Sequence, residues 1–201
     1  MKAVLKVAMP MMLAMACSSV PSLAGDLATA MRNCGWCHGL AGQGIAIAPR
    51  LAGQRRQYIL NQLADLSEHA RDNPHSKQYM WGPATNLDPL LARDLASYLS
   101  SLPFEAASDG RRQLAEMGRS IYLDGIPDAN IVSCAACHGP NAEGVGDIPR
   151  LGGLAYPYLR RRLEQWGEGY HRTARAPMPR IAGKLSANDI DALASYLSFV
   201  K

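Results

Sequence analysis

Cys34-Gly-Trp-Cys37-His38-Gly39 recurs in the same chain as Cys134-Ala-Ala-Cys137-His138-Gly139, displaced by 100 positions. The same displacement carries Pro49-Arg50-Leu51 onto Pro149-Arg150-Leu151, Tyr58 onto Tyr158 and Leu63 onto Leu163. Further on it becomes 98. Met80 lands on Met178, Leu87 on Leu185, and Leu95-Ala-Ser-Tyr98-Leu99-Ser100 on Leu193-Ala-Ser-Tyr196-Leu197-Ser198. A two-residue deletion between the shared leucine and the shared methionine accounts for both values. The chain is two copies of one unit, and such a repeat decides the architecture before any local reading.

The break between the copies falls near 102–109, where Pro103 and a run of small and polar residues separate two helical patterns. The copies are therefore expected at 25–103 and 109–201. Each ends in an apolar-periodic helix. Asp88 with Pro89 opens the first, and Ser186 with Asp189 three residues on opens the second. Before the second cysteine pair, 111–123 reads as a helix with Gly118 and Tyr122 on one face. Before the first, only 26–32 is available, and it carries no glycine–aromatic pair. Strand alternation is absent, so the fold class is all-α.

Two cysteines three apart, followed at once by histidine, form the pattern of covalent c-type haem attachment. At a helix start, both thiols reach the vinyl groups of one haem and the imidazole points at the iron. A thioredoxin-like dithiol would need a βαβ context. A zinc site joining both pairs would need four ligands and no flanking histidine. Attachment uses Cys34, Cys37, Cys134 and Cys137, the cysteines left once Cys17 is set aside, and two haem c groups would fill the cores of two small units. The iron ligands expected opposite His38 and His138 are Met80 and Met178, matched across the repeat. Met178 lies in Ala176-Pro-Met-Pro179, read as a stiff extended loop. Met31 and Met117 read as packing. His75 and His69 compete for the first iron but have no match in the second copy. They and His171 read as solvated surface.

Around each histidine several roles stay open. Pro49 and Pro149 lie eleven residues beyond it, either offering a carbonyl to its second ring nitrogen or simply making a turn. Tyr58 and Tyr158 are either propionate donors or core. Arg50 and Arg150 either neutralise propionates or are solvated. The adjacent Arg160, Arg161 and Arg162 are either a solvated helix face or a docking patch for an acidic partner.

Residues 1–24 read as an export signal: Lys2 and Lys6, a short apolar stretch over 7–17, then Ser22-Leu23-Ala24 before Gly25. The stretch is short for an uncleaved anchor, and Ala14-Met15-Ala16 is a poor lipidation signal for Cys17. A periplasmic location is the expectation. Of 21 lysines and arginines, 19 remain without Lys2 and Lys6, against 17 acidic residues. A balance of +2 is too mild for nucleic-acid binding.

Paired attachment motifs, paired Pro-Arg-Leu loops and Leu-Ala-Ser-Tyr-Leu end helices together resemble the dihaem cytochrome c4 family over nearly the whole chain after residue 24. In particular, Pro49-Arg-Leu-Ala-Gly-Gln54 followed by Tyr58 looks like that family's haem-edge loop. The resemblance implies two tandem class I cytochrome c domains related by pseudo-twofold symmetry, with His/Met ligation of both irons. It also implies a non-enzymatic carrier delivering electrons from a respiratory donor complex towards a terminal oxidase at the membrane face, which allows peripheral membrane association. The alternative is the dihaem electron-accepting subunit of a dehydrogenase complex, such as a sulfide-oxidising flavocytochrome. A peroxidase needs an open iron, and a methionine in both units argues against one. The second loop departs from the family in reading Leu151-Gly-Gly-Leu154, and the short first helix puts its packing on the end helix in doubt.

Overall fold

The stretch after Gly25 holds no proline and no turn pair, and it folds as one helix, α1 (Leu23–His38), running straight into the first histidine. The helix expected over 26–32 is therefore longer at both ends, because nothing between Asn33 and His38 breaks it. The computed structural model describes residues 23–171 and 177–201. Most of the stretch read as an export signal, up to residue 22, lies outside the described residues.

After a loop over 39–55 come α2 (Arg56–Ser67), a single π-turn (Ser76–Met80), α3 (Trp81–Thr85) and α4 (Pro89–Ser101). Asp88 caps α4 as its sequence position predicts, accepting from the Leu90 and Leu91 amides at 2.9 and 3.1 Å. The chain then runs extended through Pro103 and Phe104 into the second copy.

There a 3₁₀ turn leads into α5 (Ala115–Asp124), which stops at Gly125. Its left-handed φ of 75° ends the helix. The second cysteine pair consequently begins a separate short helix, α6 (Ala135–His138). α7 (Tyr156–Gly167), α8 (Met178–Ala182) and α9 (Ala187–Phe199) complete the unit, with Ser186 and Asp189 forming the capping box on α9. Among the described residues the only β-pairing is two isolated bridges, so the all-α expectation holds.

The two cores differ in size. In the second unit Ile121, Tyr122, Leu159, Leu193 and Leu197 belong to one large buried cluster. α5 lies so close to α9 that a Cβ on Gly118 would strike the Ala192 carbonyl. In the first unit only Ile59, Ala96 and Leu99 are buried together, with Met31 of α1 packed at the edge. α1 thus does reach the end helix, but through a methionine instead of a glycine face. Ala52, Leu66, Ala84 and Leu95 are also buried there but outside that cluster, so the first unit's core is small and divided, and a covalently attached apolar group would join it.

The units meet across a polar seam. Phe104 of the connecting segment is clasped between two guanidinium groups, Arg50 at 4.4 Å and Arg150 at 4.3 Å from its ring centre. Buried Arg50 donates to the carbonyls of Ala52, Glu105, Gly153 and Gly152 at 2.6–3.2 Å, and Arg150 Nε donates to Gly53 O at 3.2 Å. Burial, and then the charge of Arg150, push the Arg50 pKa down to about 10. It stays charged at neutral pH because carbonyls surround it. Both arginines were expected to be either propionate partners or solvated; Arg50 is buried, and both tie the units together.

The arginine run on α7 makes contacts within the chain, although Arg160 stays exposed. Arg160 pairs with Glu164 and Asp191 at 2.8 and 3.0 Å. Arg161 crosses the seam to the Ile47 carbonyl at 2.9 Å. Arg162 turns inward onto Gln165 and His171 at 3.2 and 2.8 Å and stacks over Trp166. A three-residue run spans most of a helical turn, so its members face three directions.

Candidate haem sites

Each cysteine pair lies on the turn of helix that ends at its histidine, which places two thiols and one imidazole on a single face. None of Cys34, Cys37, Cys134 and Cys137 is in a disulfide. Burial raises the pKa of Cys34, and that of Cys134 to about 11, the opposite of the depressed thiol a redox dithiol needs. Among the described residues no three His, Cys, Asp or Glu side chains converge as a bare metal site, so the zinc alternative does not form.

The histidines are held alike. His38 Nδ1 lies 2.7 Å from the Pro49 carbonyl and His138 Nδ1 lies 3.0 Å from that of Pro149. A carbonyl only accepts, so Nδ1 carries the proton and Nε2 keeps its lone pair for a metal. The two rings are buried at 7% and 6% exposure, and burial lowers both pKa values despite the carbonyl bond, which keeps the rings neutral. The loops that return the prolines are built to the same plan. Gly44 and Gly144 donate their amides to the His38 and His138 carbonyls, both at 2.7 Å. Each sits at positive φ with no room for a Cβ against the proline–arginine peptide. Of the two readings of Pro49 and Pro149, the structure selects the carbonyl.

Met80 ends the π-turn before α3, and Met178 opens α8; both are half-buried. Met178 was expected in an extended loop. Pro177 is instead helical, at φ −71° and ψ 0°, because prolines are accommodated in a first helical turn. Ala176 lies outside the described residues. His69 is exposed and stacked on Trp81 at 3.9 Å, which leaves it aimed at an indole. His75 is partly buried with no partner for its Nδ1.

Sequence reading missed a buried polar cluster where the units meet. Arg71 donates to Gln62 at 2.7 Å and to the Tyr158 hydroxyl at 3.4 Å, while its Nε is buried without a partner. A carboxylate is what such an orphaned donor calls for, and a haem propionate would supply one. Beside it His171 is buried, not solvated. Its amide donates to Asp72 Oδ1 at 2.6 Å and its Nε2 lies 3.3 Å from Asp65 Oδ2. The signal was faint: Arg71 and His171 stand 100 apart, in register with the repeat, but their residue types differ.

Cysteine pairs outside any disulfide, a fixed neutral imidazole in each unit, a small first core and an orphaned guanidinium nitrogen together fit two covalently attached haems. The comparisons agree. The cytochrome c family model matches residues 24–103 and 115–201. The chain is 31% identical to cytochrome c4 of Stutzerimonas stutzeri over 96% of its own length and 97% of that protein. It is 35% identical to a thiosulfate dehydrogenase electron acceptor of S. stutzeri strain A1501, covering 88% and 82%. Among solved structures, cytochrome c4 of Acidithiobacillus ferrooxidans superposes with a TM-score of 0.77 at 32% identity, over 83% of this chain and 98% of that one. Two cytochrome c units of this kind carry two covalent haem c groups, and the chain belongs to the cytochrome c family as one of its dihaem, cytochrome c4-type electron-transfer proteins.

Proposed function

We propose that the protein is exported to the periplasm and carries electrons there between a respiratory donor and a terminal oxidase. Cys34 and Cys37 bind one haem as thioethers, and Cys134 and Cys137 bind the other. His38 with Met80, and His138 with Met178, close the two irons. When bound, each haem supplies a one-electron ferric–ferrous couple. The rest is positioning: Pro49 and Pro149 fix the imidazoles, and the buried rings exclude water. The observation that carries the reading is the Nδ1–carbonyl bond, present in both units. It leaves each Nε2 lone pair available to an iron, and a methionine stands at the same repeat position in both units. An iron closed on both sides favours electron exchange over ligand activation.

A second reading, electron acceptor for a dehydrogenase of sulfur compounds, is favoured by the 35% identity to a thiosulfate dehydrogenase electron acceptor. Both readings are tested with protein made under its own leader in a host that exports and attaches haem. Intact mass of the periplasmic product should equal the processed chain plus two haems, and peroxide should not be turned over. Rapid anaerobic reduction by a thiosulfate dehydrogenase with slow reoxidation by terminal oxidase would select the second reading. A product lacking haem, or peroxidase turnover, would contradict both.

A further inference from the structure

Gln54 belongs to the first unit, yet both ends of its side chain grip the second. Its Oε1 accepts from the Arg150 amide at 2.8 Å, and its Nε2 donates to the Arg150 carbonyl at 3.0 Å. The Arg55 amide also donates to Oε1 at 2.8 Å. The side chain is buried, and with two donors on one atom and a carbonyl on the other its orientation is fixed. The Arg150 N–H is part of the Pro149–Arg150 amide, whose carbonyl is the one facing His138 Nδ1 at 3.0 Å. One continuous chain therefore runs across the seam: Gln54 Oε1, the Arg150 N–H, the Pro149 carbonyl, the His138 ring. We propose that Gln54 is a positioning residue for the second haem's histidine, by which the first unit sets the second haem's potential. This rests on the reading of His138 as an iron ligand.

An amide whose N–H is hydrogen-bonded becomes a better acceptor at its carbonyl, by roughly 10–30% per bond. A better acceptor draws the Nδ1 proton more strongly and makes the imidazole a more basic ligand, which favours ferric iron and lowers the potential. The device works in one direction only. The repeat places Leu154 opposite Gln54, and leucine has no polar atom to return to the Pro49–Arg50 amide. The His38 bond, at 2.7 Å, receives no matching support from the second unit's loop.

The test is Gln54→Leu in the holoprotein, which copies the second unit's residue into the first. Exchange of the His138 Nδ1 proton, followed by NMR, should quicken. The second haem should shift towards reduction by about threefold, or about 28 mV at 59 mV per tenfold for one electron. The first haem, followed through its own haem-methyl signals, should hold its potential. Gln54→Glu keeps an acceptor for the Arg150 amide and should retain slow exchange, which guards against a mere packing defect. Unchanged exchange and unchanged potentials in Gln54→Leu would overturn the proposal, as would equal shifts of both haems. Faster exchange with no shift of either potential would instead show that His138 does not bind iron, and the ligand reading would fail with it.

Discussion

Gly44 and Gly144 are the residues on which each histidine's second bond depends. At φ +80° and +67° they occupy backbone space that side chains rarely enter. A Cβ on Gly44 would lie 2.5 Å from the Arg50 nitrogen and 2.8 Å from the Pro49 carbonyl carbon. Gly44→Ala should therefore cost about 2–4 kcal/mol, from the left-handed backbone and the overlap with the peptide behind it. A lower denaturant midpoint for the first unit would register it, while an unchanged midpoint would show that the loop yields freely. At this scale the sequence was most informative where chemistry is local: cysteines, histidine and the proline eleven residues on lie within one short stretch of chain. Arg50 and Arg150 were ambiguous, and Arg71 was missed, because their partners are backbone carbonyls or side chains far along the chain, which no local pattern encodes.

Helix packing separates the two units more than their sequences suggest. α5 needs Gly118 because its axis passes against the backbone of α9, where the obstacle is a carbonyl and not a flexible side chain. Gly118→Ala gains about 1 kcal/mol of helix propensity but incurs about 1–3 kcal/mol of overpacking. Since the backbone cannot turn aside, loss should win, with a net destabilisation of the second unit of up to about 2 kcal/mol by thermal unfolding. A stabilised variant would mean that the helices part at little cost. The capped end helices and Gly118's role were legible because caps and small-residue faces are short-range signals. The full length of α1 was not, since helicity through an attachment motif is decided by the absence of a breaker, a weaker sign than its presence. The helical start at Met178 was hidden by flanking prolines, which fit an extended loop and a first helical turn equally well.

Across the whole molecule, the seam carries a titratable contact. Burial first, then the charges of Arg162 and Arg71, push the His171 pKa down to about 4, with Asp65 opposing them. A histidine depressed in the folded state binds its proton more readily once unfolded. Its contribution is therefore complete above about pH 6.5, the ordinary histidine value, and is lost as pH falls from there towards 4. The wild-type thermal midpoint should fall over that interval, and His171→Gln, which cannot charge, should flatten the fall. Parallel pH profiles for the two proteins would place the acid sensitivity elsewhere. Neither this contact nor the Arg50–Phe104–Arg150 clasp could be read from the repeat, because duplication describes each unit and not how one turns against the other.

Two units, each closing its own iron with one histidine and one methionine, make the central claim, and it is tested most directly by removing the methionines one at a time. Met80→Ala and Met178→Ala should each convert one haem, and only one, from low spin to a ligand-accessible state. Each should also remove about half of the weak long-wavelength sulfur-to-iron absorption of the oxidised protein, with one such bond per haem. The claim would be contradicted if Met80→Ala left that absorption whole while His75→Ala changed the first haem, or if either single variant opened both irons.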